Sequence, residues 1–539
     1  MEKDHRIAVS PTARDPSEIP THISLTEYLL QNLRTHSMRF GDRPWVVDVL
    51  TRTSVLLKDV EEHSRRMASA LTRLGFKARD VLFFVTYEGA QIFLLQLAVW
   101  RLGGVTRGWH AFDLKDEYRN QIQDCRAKFV LVDEETAPLL QETVTEQEWD
   151  VTLLSFGDVK GATKVKDLLE DDGSAMPENL EINPRKDVVV IASTGGSTGK
   201  PKGVFHTHYS IVSSLHSRRT FFNDEMSLLS PMVNFWVGSL ILNTSALCQG
   251  GTTIHITKFD KEKFFDYVDT YKPEGLIFYP YLASWLANCP KLKRANLDFL
   301  KTIMIGSWVL DADTVRTFNH YLPQVSIVQM YGMTEALIIS SSEFSPNHDK
   351  KCLTVTENEG HTFTSSGRMF PYVKIKVVDP ENSACILERG ERGEIMINSP
   401  SNMLGYMQKD GTPNRSIFEA DGYMHTGDLG FLDEEGNIYI IERLSFVFKY
   451  KAMPVSGSIS KRDYLVGIPN PDTDTLARAF VVLRAGYHVT ADELQAHVAN
   501  RLNIYKHLHG GVRFVDSLPV NRNGKLERRK LKEIALQMD

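Results

Sequence analysis

An α/β fold is predicted for this chain: a large N-terminal domain of α/β sheet subdomains with a small β-rich subdomain, then a small α+β C-terminal domain. Two patterns and a size argument predict it. Up to about residue 370, apolar runs of strand length alternate with longer runs at helical spacing, which indicates mainly parallel sheet. Beyond that point, short alternating segments with turn residues between them take over. A chain of 539 residues also exceeds what one hydrophobic core supports, so at least two domains are expected.

The elements follow in order. Residues 1–25 read as a loose polar leader. "DVEEHSRRMASALTRLGF" places Met67, Ala70, Leu71 and Leu74 at helical spacing. "DVLFFVTY" is a strand, "AQIFLLQLAVWRLGGV" a mostly apolar helix ended by Gly103-Gly104, and "AKFVLVD" another strand. The pattern repeats through "DVVVIAST", "EGLIFYPYLASWLANC" and "KTIMIGSWVL". "YVKIKVVD", "GEIMINSP" and "GFLDEEGNIYIIERL" form the β-rich unit, about 370–444, closing a domain that runs 25–444. The remainder, 445–539, mixes short strands with helices, including the amphipathic "ADELQAHVANRLNIYKH", and is large enough to be a separate domain.

Composition narrows the function classes. Net charge is −6, from 62 Lys+Arg against 68 Asp+Glu, which argues against a general nucleic-acid binder. The five cysteines (Cys125, Cys248, Cys289, Cys352, Cys385) are scattered and form no C-x-x-C pair. That disfavours a disulfide framework or structural zinc and fits a reducing compartment. No apolar signal core, membrane-span-length run or peroxisomal "SKL" ending occurs. An intracellular, cytoplasmic protein without a transmembrane segment is expected.

"STGGSTGKPKG", residues 193–203, holds four glycines, two serines, two threonines and two lysines. Glycines let backbone N–H groups converge on an anion, while hydroxyls and Lys202 add donors and charge. A phosphate loop after the apolar strand "DVVVIA" is the reading, against a plain solvated turn. It is not a P-loop of the G-x-x-x-x-G-K-[ST] type. That pattern, ending at Gly199-Lys200, needs glycine at 194 and Ser or Thr at 201, where Thr194 and Pro201 stand. Proline lacks the N–H and disfavours helical geometry before it. The G-x-G-x-x-G dinucleotide pattern fails as well.

"STGGSTGKPKGVFHTH" resembles the nucleotide loop of adenylate-forming (AMP-binding) enzymes: acyl-CoA synthetases, 4-coumarate–CoA ligases, firefly luciferase and non-ribosomal adenylation domains. Three more segments lie in that family's order. "MYGMTEA" (330–336) is similar to its second nucleotide motif, "HTGDLGFLDEEGNIYIIER" (425–443) to its ribose segment, and "LPVNRNGKLERRKL" (518–531) to its catalytic-lysine motif. The resemblance covers roughly 25–535.

The resemblance implies a two-step reaction using ATP, Mg²⁺ and coenzyme A on a small carboxylic acid. Ser197, Thr198, Gly199 and Lys202 are implied at the β- and γ-phosphates. Glu335 is implied as the Mg²⁺ ligand, beside Thr334; taken alone, the two residues read as a helix N-cap and first-turn acid, and the preceding "YG" favours the ligand role. Tyr331 and Gly332 would lie against adenine. Asp428 would take the ribose hydroxyls, although "GD" alone reads as a turn, and Arg443 and Lys449 would add contacts. Lys525 would act in adenylation, or, outside such a family, be one solvated lysine of a basic run. The C-terminal domain would be mobile, rotating about a hinge near Leu444-Ser445.

Several positions depart from the family pattern. Ser445 stands where Lys or Asp is usual, and "KYKA" (449–452) puts Ala452 where glycine is usual. Near 453–466 the chain runs "MPVSGSISKRDYLVGIPNPDTD", with about ten residues fewer and most of an amphipathic helix absent. In the acyl pocket, Gly306 is followed by Ser307 and Trp308, and Asn234 falls where luciferases keep a histidine. Trp236 and Trp308 imply an altered pocket, or else core packing. An acid–coenzyme A ligase is expected. The alternatives are a luciferase-like monooxygenase, or a non-catalytic or adenylation-only relative.

Overall fold

The computed structural model describes residues 5–10, 14–194, 201–217, 226–307, 309–342, 353, 355–358, 361–446, 448–450, 453–455, 458–460, 463–470, 474–483, 488–500, 507–520 and 527–537. Among the described residues, two nine-stranded sheets, one six-stranded sheet and the two-stranded pair Val355–Asn358 and His361–Thr364 lie in the N-terminal portion, and a four-stranded sheet and the pair Phe448–Tyr450 and Met453–Val455 in the C-terminal portion.

In the first nine-stranded sheet, Val81–Val85 lies between Val105–Gly108 and Phe129–Asp133, all parallel. In the second, Ser227–Ser230, Gly275–Phe278, Thr302–Ile305 and Ser326–Met333 are parallel neighbours. Helices connect these strands, as parallel pairing requires. Helix Gln91–Arg101 is buried along nearly its whole length because it lies between sheets. One core runs from Leu82 and Leu131 of the first sheet through Leu94 and Leu97 of this helix to Leu228 and Val328 of the second. The outer face of each large sheet carries its own cluster, one around Phe264, Phe278 and Phe318, the other around Phe83, Tyr118 and Ile122.

Two expectations change. Helix Val60–Arg73 buries Met67, Ala70 and Leu71, but Leu74 is its C-cap and 38% exposed. The leader is not loose throughout. Ala8–Val9 adds antiparallel to Lys374–Asp379, pairing Ala8 with Ile375, and Ser10 Oγ donates to the Met369 carbonyl at 3.0 Å. The β-rich unit is therefore discontinuous in sequence. A two-residue strand has too little pattern to be read from sequence alone.

In the C-terminal portion, strand Asp463–Asn470 alternates its faces. Leu465 joins a cluster with Leu508 and Leu494, whereas Val466 and Ile468 join Phe480, Leu531 and Ala535. Helices Ala491–Ala499 and Arg528–Gln537 thus supply the two opposite faces of one small sheet. Its apolar clusters share no residue with those of the large sheets. Between 453 and 466 the described residues lie in strands, Met453–Val455, Ser458–Ser460 and the start of Asp463–Asn470. Among the described residues, no helix is long and apolar enough to cross a membrane.

Candidate active site

The Gly-rich segment joins two antiparallel strands, Val188–Thr194 and Lys202–Thr207, with Lys202 paired to Thr194. The element that follows the segment is thus a strand antiparallel to the one before it, and not a helix. Ser197, Thr198 and Gly199, expected at the phosphates, lie outside the described residues, as do Trp308, Ala452 and Lys525. Lys202 is exposed, and its Nζ sits 4.8 Å from the centre of the Tyr406 ring, a cation–π contact. The Tyr406 hydroxyl in turn donates to Glu335 Oε1 at 2.7 Å. Burial, and then the Glu335 charge, push that hydroxyl far above its usual pKa, so it remains a donor.

Thr334 and Glu335 do not begin a helix. They form a turn between antiparallel strands Ser326–Met333 and Leu337–Ser341. Gly332, in the strand just before it, must be glycine, because a Cβ there would lie 2.3 Å from the Leu337 carbonyl oxygen. Glu335 is 6% exposed and its Oε2 faces none of the described hydrogen-bond donors.

Asp428 lies within strand Met424–Leu432 and not in a turn; it pairs directly with Arg443, the last residue of the neighbouring strand Ile438–Arg443. The hairpin register therefore does what motif spacing alone does not show: it sets an acid and a base side by side. Asp428 Oδ1 meets Arg443 Nε at 2.8 Å, and Oδ2 accepts from the Tyr331 hydroxyl at 2.7 Å. Arg443 also donates to the Thr426 carbonyl at 2.7 Å. Burial pushes the Asp428 carboxyl above its usual range, and the Arg443 charge and Tyr331 hydroxyl pull it back. Burial works against the charge on Arg443 too, but Asp428 together with Tyr331, Glu335 and Tyr406 outweighs it and its pKa is raised.

These parts come from three sheets. Lys202 and Tyr406 belong to the first large sheet, Tyr331 to the second, and Asp428 and Arg443 to the six-stranded one. The seam carries two cations, two carboxylates and two phenols. That set suits a ligand with both phosphates and vicinal hydroxyls: cations for the former, a carboxylate acceptor for the latter. Among the described residues no three His, Cys, Asp or Glu side chains converge as a metal cage. A single carboxylate is still sufficient for Mg²⁺, which keeps several waters and shares phosphate oxygens.

The remaining expected residues fall less centrally. Asn234 is 4% exposed and its Nδ2 donates to the carbonyls of Thr86 and Glu88 at 2.9 and 2.7 Å. Its amide nitrogen is spent on tying down the loop before helix Gln91–Arg101. Trp236 packs edge-on to Tyr279, with ring centres 5.3 Å apart. Gly306 opens on free space, since a Cβ there would meet only Met330 Cε at 4.0 Å. Lys449 lies on strand Phe448–Tyr450, opposite Pro454. Tyr406 was missed by sequence reasoning; one tyrosine after a glycine in "SNMLGYMQKD" shows no periodicity that would single it out.

Beside Asp428, His425 is held between Glu394 Oε2 at 2.9 Å and Glu419 Oε1 at 2.8 Å. Partial burial opposes its charge, but the hydrogen bonds to the two glutamates outweigh it and its pKa is raised. A folded-state pKa above the unfolded value of about 6.5 gives stability that is complete below that value and lost as pH rises through the folded one. Thermal midpoints of the wild type should therefore fall between about pH 6 and pH 9 more than those of His425→Gln. Parallel curves for the two proteins would reject this role.

Comparison with known proteins gives the family and the fold. A family model described as "AMP-binding enzyme" matches residues 33–407, and one for the "AMP-binding enzyme C-terminal domain" matches 464–525. A 4-coumarate–CoA ligase from Humulus lupulus is 26% identical over 543 residues, covering 95% of this chain and 94% of that protein. One from Oryza sativa subsp. japonica is 27% identical over 542 residues, covering 96% and 93%. ATP-bound MatB from Rhodopseudomonas palustris has the same fold, with a TM-score of 0.81 at 21% identity over 96% of this chain and 100% of that one. A luciferase-like enzyme from the nonluminescent Zophobas morio mealworm gives 0.71 at 21% identity over 81% and 98%. With the first family model spanning well over half of its length, the chain belongs to the AMP-binding enzyme family.

Proposed function

We propose that this protein is an ATP- and Mg²⁺-dependent carboxylic acid–coenzyme A ligase. The acid carboxylate attacks the α-phosphorus of ATP, giving acyl-AMP and pyrophosphate; the thiol of coenzyme A then attacks the acyl carbon and AMP leaves. The observation that carries this is the buried Tyr331–Asp428–Arg443 group set against Glu335, Tyr406 and Lys202. The relatives named 4-coumarate–CoA ligases support the same reaction class.

In this reading Asp428 accepts from the ribose hydroxyls and Arg443 holds that carboxylate charged and in place. Lys202, with Ser197, Thr198 and Gly199, neutralises the β- and γ-phosphates. Glu335 offers its free oxygen to Mg²⁺, which when bound withdraws charge from the triphosphate. Lys525 supplies a cation to the reacting carboxylate and α-phosphate. Trp236, Gly306 and Trp308 border the acid. The domains divide at 444/445, where the short turn Leu444–Phe446 follows strand Ile438–Arg443 and serves as hinge.

An adenylation-only enzyme is the second reading, favoured by strands where relatives of this family are expected to place a helix between 453 and 466. A pyrophosphate-release assay over a panel of carboxylic acids, with and without coenzyme A, separates the two. Thioester formed only with coenzyme A is the expected result. Acyl-AMP without thioester selects the second reading. Light emission or oxygen uptake selects a luciferase-like monooxygenase. Pyrophosphate from no acid, despite ATP binding, overturns all three.

A further inference from the structure

The turn that carries Glu335 is held from outside at three consecutive carbonyls. Met403 N donates to the carbonyl of Glu335 at 2.7 Å and Ser401 Oγ to that of Ala336 at 3.0 Å. The carbonyl of Thr334 lies 2.7 Å from His206 Nε2. The first two donors come from one segment, 401–403. His206 comes from strand Lys202–Thr207, the arm that leaves the Gly-rich loop and also carries Lys202.

The proton on His206 can be assigned by chemistry. The side chain is 0% exposed, and burial drives its pKa down to about 4, so the imidazole is neutral and carries one N–H. A carbonyl can only accept, so that hydrogen is on Nε2. The other nitrogen, Nδ1, faces Ser210 Oγ at 3.1 Å, a hydroxyl that also donates to the Thr207 carbonyl at 3.0 Å. His206 is therefore spent on fixing one peptide group. The turn has little freedom besides: Leu337 sits at φ +62° and Gly332 has no room for a side chain.

One strand thus meets the Glu335 turn twice. Lys202 reaches the Glu335 carboxylate through the Tyr406 ring and hydroxyl. His206, on the same side of the strand four residues on, grips the peptide just before it. We propose that His206 is a positioning residue: by holding the Thr334 carbonyl it aims the Glu335 carboxylate at the cation that accompanies the triphosphate, and so couples the Gly-rich hairpin to metal binding. This rests on the proposed role of Glu335. A histidine that merely fills the core would need no such partner at the metal site, and the two cases differ in a measurable way.

The test is ATP binding by calorimetry, with and without MgCl₂, which needs no knowledge of the acid. Leucine at this position preserves apolar volume but has no donor. The amide nitrogen of glutamine reaches about as far as Nε2 and restores one. His206→Leu should reduce the gain in ATP affinity that Mg²⁺ confers by about tenfold, the scale for partners of metal ligands, and His206→Gln should recover most of it. Glu335→Gln should abolish the gain. Binding of ATP without Mg²⁺ and the thermal midpoint of His206→Gln should stay close to wild type. A full Mg²⁺ gain in His206→Leu, beside its loss in Glu335→Gln, overturns the role of His206 and leaves that of Glu335 standing. A full gain in Glu335→Gln overturns both. If His206→Leu does not fold, His206→Met, which also lacks a donor, replaces it: a reduced Mg²⁺ gain beside a retained one in His206→Gln supports the proposal, and a full gain in His206→Met overturns it.

Discussion

Asp428→Ala should lose on the order of 10²–10³-fold in kcat/KM for ATP and also destabilise the protein, because Asp428 serves ligand and fold together. On the ligand side, two hydroxyl hydrogen bonds to a charged acceptor are at stake, each worth about 1.5–3 kcal/mol. On the folding side, Arg443 would be left beside the Tyr331 hydroxyl without its counter-charge. Removing one partner of a fully buried pair costs about 3–5 kcal/mol. The Arg443 side chain is 33% exposed, so water takes up part of its charge and the cost should fall to about 2–3 kcal/mol. Asp428→Asn keeps the shape and one acceptor but not the charge, so it should recover part of the stability and little of the activity. Chemical denaturation alongside steady-state kinetics checks both. An alanine variant with wild-type kcat/KM would remove Asp428 from the nucleotide site.

Glu335→Gln is expected to have an effect of comparable size on activity and almost none on stability. Glutamine still accepts from the Tyr406 hydroxyl, which holds Oε1 at 2.7 Å, so the packing is retained. What is lost is the negative charge facing a divalent cation. Charge stabilisation by such an ion is worth several kcal/mol, so Mg²⁺-dependent pyrophosphate release should drop at least about 10²-fold. Folding stability should move by less than about 1 kcal/mol. High Mg²⁺ should recover part of the rate. Undiminished release at low Mg²⁺ would show that the ion is held elsewhere.

Much of the site was readable from sequence because its residues sit in motifs whose order is itself informative. Lys202, Tyr331, Glu335, Asp428 and Arg443 were named from 193–203, 330–336 and 425–443, and the folded chain brings them to one seam. What linked them was not readable. Tyr406 joins Lys202 to Glu335 from a strand with no motif, and only the antiparallel register places it there, opposite Val204. The pairing of Asp428 with Arg443 depends on a hairpin irregularity between Leu429 and Gly430, which spacing does not encode. Periodicity overran helix Val60–Arg73 at Leu74 because an apolar residue past a helix end still matches the repeat. Asn234, taken for the acid pocket, spends its amide nitrogen on backbone carbonyls. Such bonds are invisible until the chain is folded.

The pairing of Ala8–Val9 with Lys374–Asp379 also bears on synthesis. A ribosome releases the first of these strands long before the second exists. Ala8–Val9 must stay unmatched until Lys374–Asp379 is made, when the second large sheet has all its strands but the first still lacks Gly405–Met407 and Pro413–Asn414, and the β-rich layer closes only when its last strands arrive. Arg443 and Asp428 belong to that layer, so nucleotide-binding capacity arises late in translation. Until then the Lys374–Asp379 edge is open wherever Ala8–Val9 will later lie. Ala8–Val9 is thus made well before its partner and placed only after it, and it shields this part of the edge from pairing with other chains.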